Sequence, residues 1–159
     1  MDIKFIQADE TGAEIIAGLR REIWLTTYRG IYSDERIDNY DYEGHRLRDL
    51  ARIRDSSCHV YLITDGCPIG YFTFQAADTV YIGSLYIRRE YQHKGIGRQV
   101  FAFLREYCLT VGYDCFTCNC NAHNYPAQKF YLAMGGKVIG RSEGHEDKYD
   151  DQITFEFGV

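Results

Sequence analysis

Ser84-Leu85-Tyr86-Ile87-Arg88-Arg89-Glu90-Tyr91-Gln92-His93-Lys94-Gly95-Ile96-Gly97-Arg98-Gln99-Val100 reads as the end of a strand, a short basic turn with two glycines, and the start of an amphipathic helix. Glycines at 95 and 97 let main-chain N–H groups approach an anion with no Cβ in the way, and the helix that begins there adds its positive end. Arg88, Arg89, Lys94 and Arg98 surround the turn with mobile positive charge. The stretch suits a diphosphate cradle. It suits equally an ordinary strand-to-helix turn with solvated basic residues, and the turn alone does not separate the two.

Two familiar phosphate loops do not fit. A dinucleotide fingerprint needs a third glycine three residues after Gly97, where Val100 stands, and a Walker loop needs Gly-Lys-Ser/Thr, which the chain lacks. What fits is Gln92-x-x-Gly95-x-Gly97 directly after Leu85-Tyr86-Ile87, which resembles the coenzyme A pyrophosphate loop of the GNAT superfamily of acyl-CoA-dependent N-acetyltransferases. A later stretch, Asn124-Tyr125-Pro126-Ala127-Gln128-Lys129-Phe130-Tyr131-Leu132-Ala133-Met134-Gly135-Gly136, is similar to that family's Asn-x-x-Ala-x-x-Phe-Tyr helix with its glycine stop. The two patterns occur in the family's order with one helix and one strand between them, and the ordered pair is specific where each motif alone is weak.

The resemblance implies an α/β fold built on a mixed sheet. That sheet is mostly antiparallel, has about six or seven strands including one splayed parallel pair, and is flanked by about four helices. It implies acetyl-CoA as co-substrate, an amine as acceptor, direct attack with no acyl-enzyme, and no metal. Main-chain groups of Leu85 and Ile87 would run along the pantetheine amides, and an N–H near Leu85 or Tyr86 would polarise the thioester carbonyl. The diphosphate would sit on the amides of Gln92, His93, Lys94, Gly95, Ile96, Gly97 and Arg98. Tyr131 matches the family tyrosine near the thioester sulfur. A phenol, with pKa about 10, stays protonated where a thiol, near 8.5, is leaving, so it can donate a proton or a hydrogen bond. Asn124 matches an asparagine that contacts the pantetheine or caps the helix. The competing class is a non-catalytic acyl-CoA-binding regulatory module.

Composition sets the outer bounds. A chain of 159 residues forms one domain over 1–159 and can bury a core without metal or disulfide staples. The net charge of −5 argues against a general nucleic-acid binder, which needs a broad basic face, and is compatible with a cationic small substrate. Met1-Asp2-Ile3-Lys4-Phe5 lacks a signal-peptide pattern and no apolar run reaches ~18 residues, so the expected location is cytoplasmic with no membrane contact. A homodimer is compatible with the resemblance, although no segment marks one. Six cysteines include Cys115-Phe116-Thr117-Cys118-Asn119-Cys120; on a strand Cys118 and Cys120 face one side and Cys115 the other, a poor arrangement for a shared metal. These cysteines are expected to be reduced, buried and apolar in behaviour.

From the N-terminus, Asp2 to Ala8 is expected as the first strand, and Thr11-Gly12-Ala13-Glu14 as a capping box opening a helix to about residue 26. Gly30 breaks that helix, and Ser33-Asp34-Glu35 opens another that continues to about Arg54 with a break near Gly44. In the superfamily this pair walls the acceptor groove. Here it brings Trp24, Tyr28, Tyr32, Tyr40 and Tyr42 together with Asp34, Glu35, Asp38, Asp41 and Glu43, residues that would hold a cation. Carboxylates at helix starts also serve the helix dipole, and that duller role carries the greater weight. Two β-rich runs, Cys58–Thr64 and Ile69–Gln75, flank the hairpin signal Asp65-Gly66, and Thr79–Ile87 leads into the glycine turn. The helix after the turn ends at Gly112, and Cys115–Asn121 returns parallel to the strand that ends at Ile87. Lys137–Ile139 and Gln152–Phe157 close the sheet, with a mobile, solvent-facing loop or hairpin tip from Gly140 to Asp151 between them.

The general base is the gap in this reading. Many relatives carry a glutamate on the strand before the cradle, but Val80-Tyr81-Ile82-Gly83-Ser84 carries none. Water relayed through Ser84, Tyr81, His123 or Asp78 is one route, and capture of the small free-amine fraction is another.

Overall fold

The computed structural model describes residues 1–159. Seven strands form one sheet in the order β1-β2-β3-β4-β5-β7-β6. They are β1 (Lys4–Gln7), β2 (Cys58–Thr64), β3 (Pro68–Ala76), β4 (Val80–Ile87), β5 (Cys115–Asn121), β6 (Lys137–Ser142) and β7 (Gln152–Gly158). Five helices flank the sheet: α1 (Gly12–Ile23), α2 (Asp34–Asp38), α3 (Tyr42–Arg54), α4 (Ile96–Val111) and α5 (Tyr125–Ala133). Every pairing is antiparallel except β4 with β5, which the α4 crossover makes parallel. No helix is long and apolar enough to cross a membrane.

Strand alternation sends the two faces of the sheet to different helices. On β3, Phe72 and Phe74 join the core beneath α4, whose Ile96, Val100, Phe101, Leu104 and Cys108 are buried at helical spacing. Tyr71, one residue out of phase, joins Val60 and Leu62 against Ile16, Leu19 and Ile23 of α1 on the opposite face. Gly112, at φ +99°, ends α4 in the left-handed conformation that the sequence implied.

Four local expectations change. Thr11 lies in the α region and makes no side-chain cap; instead Asp9 Oδ1 accepts from the Thr11 amide at 2.9 Å, so an Asx turn rather than a capping box starts α1. The end of α1 widens into a π-helical turn over Trp24–Tyr28 before Gly30 breaks it at φ +89°. The expected break near Gly44 between Ser33 and Arg54 divides the stretch into two helices, and Asp41 Oδ1, accepting the Gly44 amide at 2.9 Å, nucleates α3. The break therefore falls before Gly44, at Asn39–Asp41, where the Tyr40 hydroxyl donates to the Ala17 carbonyl at 2.9 Å.

The fourth change concerns Gly140 to Asp151, which is the solvent-facing tip of the β6–β7 hairpin as expected but is pinned rather than mobile. β6 extends to Ser142, a 3-10 turn forms at Lys148–Asp150, and buried Asp151 accepts from His145 and pairs with His123, each at 2.8 Å. Arg36 adds an ion pair to Asp147 at 2.9 Å and lies 3.8 Å from the Tyr149 ring centroid.

One buried ion pair holds the helical wall together. Arg20 of α1 and Asp49 of α3 are 4% and 1% exposed and meet through two hydrogen bonds of 2.6 and 2.9 Å. Removing one partner strands the other charge in a dry site. Asp49→Ala is therefore expected to cost about 3–5 kcal/mol of unfolding free energy. Urea denaturation measures it, and a loss near that of an average surface substitution would show that the pair is not the clamp.

Candidate active site at the splay of the sheet

The parallel ladder between β4 and β5 is short. It pairs Val80 with Phe116, Tyr81 with Thr117 and Ile82 with Cys118, then stops, while β4 continues to Ile87 with no strand on that edge. At the stopping point Gly83 is the extra residue of a bulge: Ser84 pairs with Thr73 and Ile82 with Phe74, leaving Gly83 unpaired. This is the splay that the resemblance implied.

Register then decides which main-chain groups face the opening. The Arg88 amide donates to the Ile69 carbonyl at 2.9 Å, so the alternation of an antiparallel ladder turns Tyr86 and Ser84 toward β3 and turns Leu85 and Ile87 toward the splay. Gln92 Nε2 donates to the Ile87 carbonyl at 2.9 Å. Leu85 is left with both main-chain groups, and Ile87 with its N–H, along the open edge. Tyr86 offers its ring instead, edge-on to Tyr28 with centroids 5.6 Å apart.

A cleft of about 410 Å³ fills the splay. Six tyrosines line it (Tyr28, Tyr32, Tyr81, Tyr86, Tyr131 and Tyr149); its one ionisable carboxylate is Asp150, and it has no lysine or arginine. Tyr131 of α5 packs its ring near Phe155 at 5.5 Å and Phe157 at 6.0 Å, and burial holds its phenol well above the ordinary value. Cys118 and Cys120 also line this cleft, and burial pushes both thiols up to about 12. They stay protonated at neutral pH, which removes them as nucleophiles. Asn124 is buried, lines the cleft, and caps α5 by accepting the Ala127 amide at 3.2 Å. Its side chain performs the helix-cap role while still lining the cleft.

The glycine turn lies outside both large clefts, on an open lip. The first helical bond of α4 runs from the Gln99 amide to the Gly95 carbonyl at 3.2 Å, and the amides from His93 through Arg98 donate to nothing within the chain. His93 at φ +60° and Gly95 at φ +81° curl the backbone so that these donors lead into the helix. Six free N–H groups at a helix start fit a diphosphate. Gly97 has a second cause, since a Cβ there would lie 2.7 Å from the Phe130 ring. Of the basic residues, Arg88 is consumed by Glu22 at 3.0 Å, whereas Arg89, Lys94 and Arg98 are exposed and form no ion pair.

A larger cleft of about 720 Å³ adjoins the first and shares Gly83, Ser84, Tyr86 and Tyr149 with it. Its wall is not the acidic amine trap that the sequence offered as one option. Arg29 takes Asp34 and Asp38 at 3.0 and 2.6 Å, Arg46 takes Glu43, and Asp41 caps α3. Arg20, Arg36, Arg48 and Arg52 line this cleft, and His45 is drawn down to about 4 by burial and by Arg20 and Arg48. Among the relay candidates, Ser84 lines both clefts and Tyr81 the smaller one, while His123 and Asp78 line neither. Tyr149 and Asp150 escaped the sequence reading because their segment looked like a free loop; the buried Asp151 beside them was the missed signal. No group of three His, Cys, Asp or Glu side chains is placed to hold a metal.

Comparison with known proteins follows the same line. A family model described as the acetyltransferase (GNAT) family matches residues 19–135. A spermidine N(1)-acetyltransferase of Thermoplasma acidophilum is 26% identical, the match covering 87% of this chain and 90% of that one. Among solved structures, the PaiA N-acetyltransferase of Thermoplasma acidophilum in complex with coenzyme A superposes with TM-score 0.84 at 22% identity over 100% of both chains. The Salmonella typhimurium acetyltransferase that modifies the N-terminal serine of ribosomal protein L7/L12 gives 0.75 at 19%, covering 99% of this chain and 95% of that one.

Two measurements probe these features. Lys94→Glu with Arg98→Glu is expected to weaken coenzyme A binding at least ~10-fold by calorimetry with little change in melting temperature, since both side chains are exposed. Because the folded pKa of His45 lies below its unfolded value of about 6.5, its neutral form contributes stability above that pH, and the contribution is lost as pH falls toward about 4. The melting temperature of His45→Gln should therefore fall less than that of the native protein between pH 7 and 4.5.

Proposed function

The chain belongs to the GNAT acetyltransferase family of acetyl-CoA-dependent acyltransferases, and we propose that it acetylates a primary amine of a small molecule or peptide by direct transfer at the splay. Family membership sets aside a purely regulatory acyl-CoA-binding role. The observation that carries the residue assignment is the open edge of β4 at Leu85, facing Tyr131 across one cleft that continues into a second.

The diphosphate of acetyl-CoA lies on the amides of His93 through Arg98, with Lys94 and Arg98 beside it. Gln92 acts one step back, holding the turn against the Ile87 carbonyl. The pantetheine takes the place of the missing strand along Leu85 and Ile87, as an added strand pairs with any free sheet edge. The acceptor first releases one ammonium proton to solvent water; the free amine nitrogen then attacks the thioester carbonyl carbon, the carbonyl oxygen gains charge against the Leu85 N–H, and the C–S bond breaks.

Tyr131 stabilises the leaving sulfur by hydrogen bonding. Its phenol is raised well above the usual ~10 whereas a thiol lies near 8.5, so outright proton transfer to the thiolate runs uphill. The ammonium proton of the intermediate leaves through water at Ser84 and Tyr81, and the thiolate is protonated from the same water. The amine acceptor is supported by the names of the spermidine and N-terminal serine enzymes, which differ in the size of the acceptor.

Tyr131→Phe is expected to lower kcat about 10- to 100-fold while the Kd for coenzyme A changes less than about twofold. Thiol release from acetyl-CoA across an amine panel gives the first number and calorimetry the second; an unaltered kcat would remove the tyrosine from the reaction.

A further inference from the structure

The larger cleft holds hydrogen-bond donors that acetyl transfer leaves unused. Trp24, only 6% exposed, is enclosed edge-on by Tyr32, Tyr40 and His45 at centroid distances of 5.2 to 5.4 Å, and its indole N–H has no partner. Arg36, also lining this cleft, has an unpartnered buried Nε–H. Both nitrogens are sealed from the cleft, so neither can receive a ligand oxygen; the donors open to it are guanidinium N–H groups, those of exposed Arg48 above all.

The charges agree. Arg48 forms no ion pair or hydrogen bond, and Arg52 has only a share of Asp49, which already binds Arg20 through both oxygens. Of the lining carboxylates, Asp147 is taken by Arg36 and Asp41 by its helix cap, which leaves Glu35. The adjoining cleft, where the thioester would lie, has the opposite character, with six tyrosines, one carboxylate and no cation.

Building on the function proposed above, we infer that the acceptor is an anionic amine: its ammonium end enters the tyrosine-lined throat beside Ser84, and its carboxylate or phosphate occupies the larger cleft on the guanidinium groups of Arg36 and Arg48. Aromatic faces and Asp150 suit the cation, and free guanidinium N–H groups suit the oxyanion. A polyamine, which carries no oxyanion, leaves those donors unpaired and is the poorer acceptor.

Thiol release from acetyl-CoA with 2-aminoethyl phosphate, glutamate and spermidine tests this directly. At least one of the two anionic amines is expected to exceed spermidine about tenfold in kcat/KM, and the better of the two identifies the oxyanion as phosphate or carboxylate. Arg48→Gln, at an exposed position, is expected to raise KM for that amine more than it lowers kcat and to narrow the preference about tenfold. A second readout needs no turnover. Trp24 is the single tryptophan, so inorganic phosphate and acetate can be titrated against its fluorescence, with a saturable change weakened by Arg48→Gln expected for at least one of them. Spermidine turned over as well as the anionic amines, or emission indifferent to both anions, overturns the inference while leaving acetyl transfer intact. No turnover with any amine, alongside a saturable fluorescence change, overturns the acetyl-transfer reading and leaves the oxyanion site standing.

Discussion

Three residue pairs hold β4 to β5, and the ladder then ends at Ile82 and Cys118. A sheet that stays paired on both sides of every strand has no site; one that loses a neighbour halfway along a strand exposes N–H and C=O groups that must find another partner. The Gly83 bulge sets this up by shifting the register against β3 just where the parallel pairing stops. Everything functional is arranged around that opening. The donors from Leu85 and Ile87 lie along it, α5 places Tyr131 at its side, and α4 begins at its outer end with six amides free. In the proposed cradle the cofactor's charge is met chiefly by backbone amides, which is compatible with a chain of net charge −5.

The opening would be a defect if its walls could move. Two devices hold them. On one side the Arg20–Asp49 pair binds α1 to α3 in a site almost closed to water, and the Arg20 guanidinium lies 5.3 Å from the Tyr71 ring centroid. On the other, Asp151 gathers His123, His145 and the turn at Lys148–Asp150, which carries Tyr149 against Tyr32 at 4.9 Å. The high tyrosine content thereby acquires a use. Fourteen tyrosines are far more than packing demands, and those at the splay supply apolar ring faces and hydroxyls to one cleft. The arginines are segregated into the neighbouring cleft, so the two ends of an acceptor meet different chemistry.

Much of this was written in local sequence. The ordered pair of motifs, Gln92-x-x-Gly95-x-Gly97 and Asn124 to Gly136, carried the fold class and the cofactor through the family resemblance, while the parallel crossover followed from the strand-helix-strand order, a property of neighbouring residues. Where the reading slipped, the deciding contact was distant. Asp41 nucleates α3 by a local cap and was legible in principle. The pinning of Gly140–Asp151 depends on His123, 28 residues before Asp151, and on Arg36, 111 residues from Asp147, so a polar segment looked free. The carboxylates around α2 left an ammonium trap as the lesser option, and Arg29 and Arg46 claim most of them.

By itself, then, the sequence determined that a strand, a two-glycine turn and an amphipathic helix follow one another, and that a tyrosine-bearing helix comes later. Backbone conformation and short-range spacing suffice for both. Only the tertiary structure decided which edge groups of β4 lie open, that Gly97 also yields space to Phe130, and that the acceptor wall is lined by arginines. Register, ring packing and ion-pair partners are fixed by residues far apart in the chain, and no local pattern encodes them.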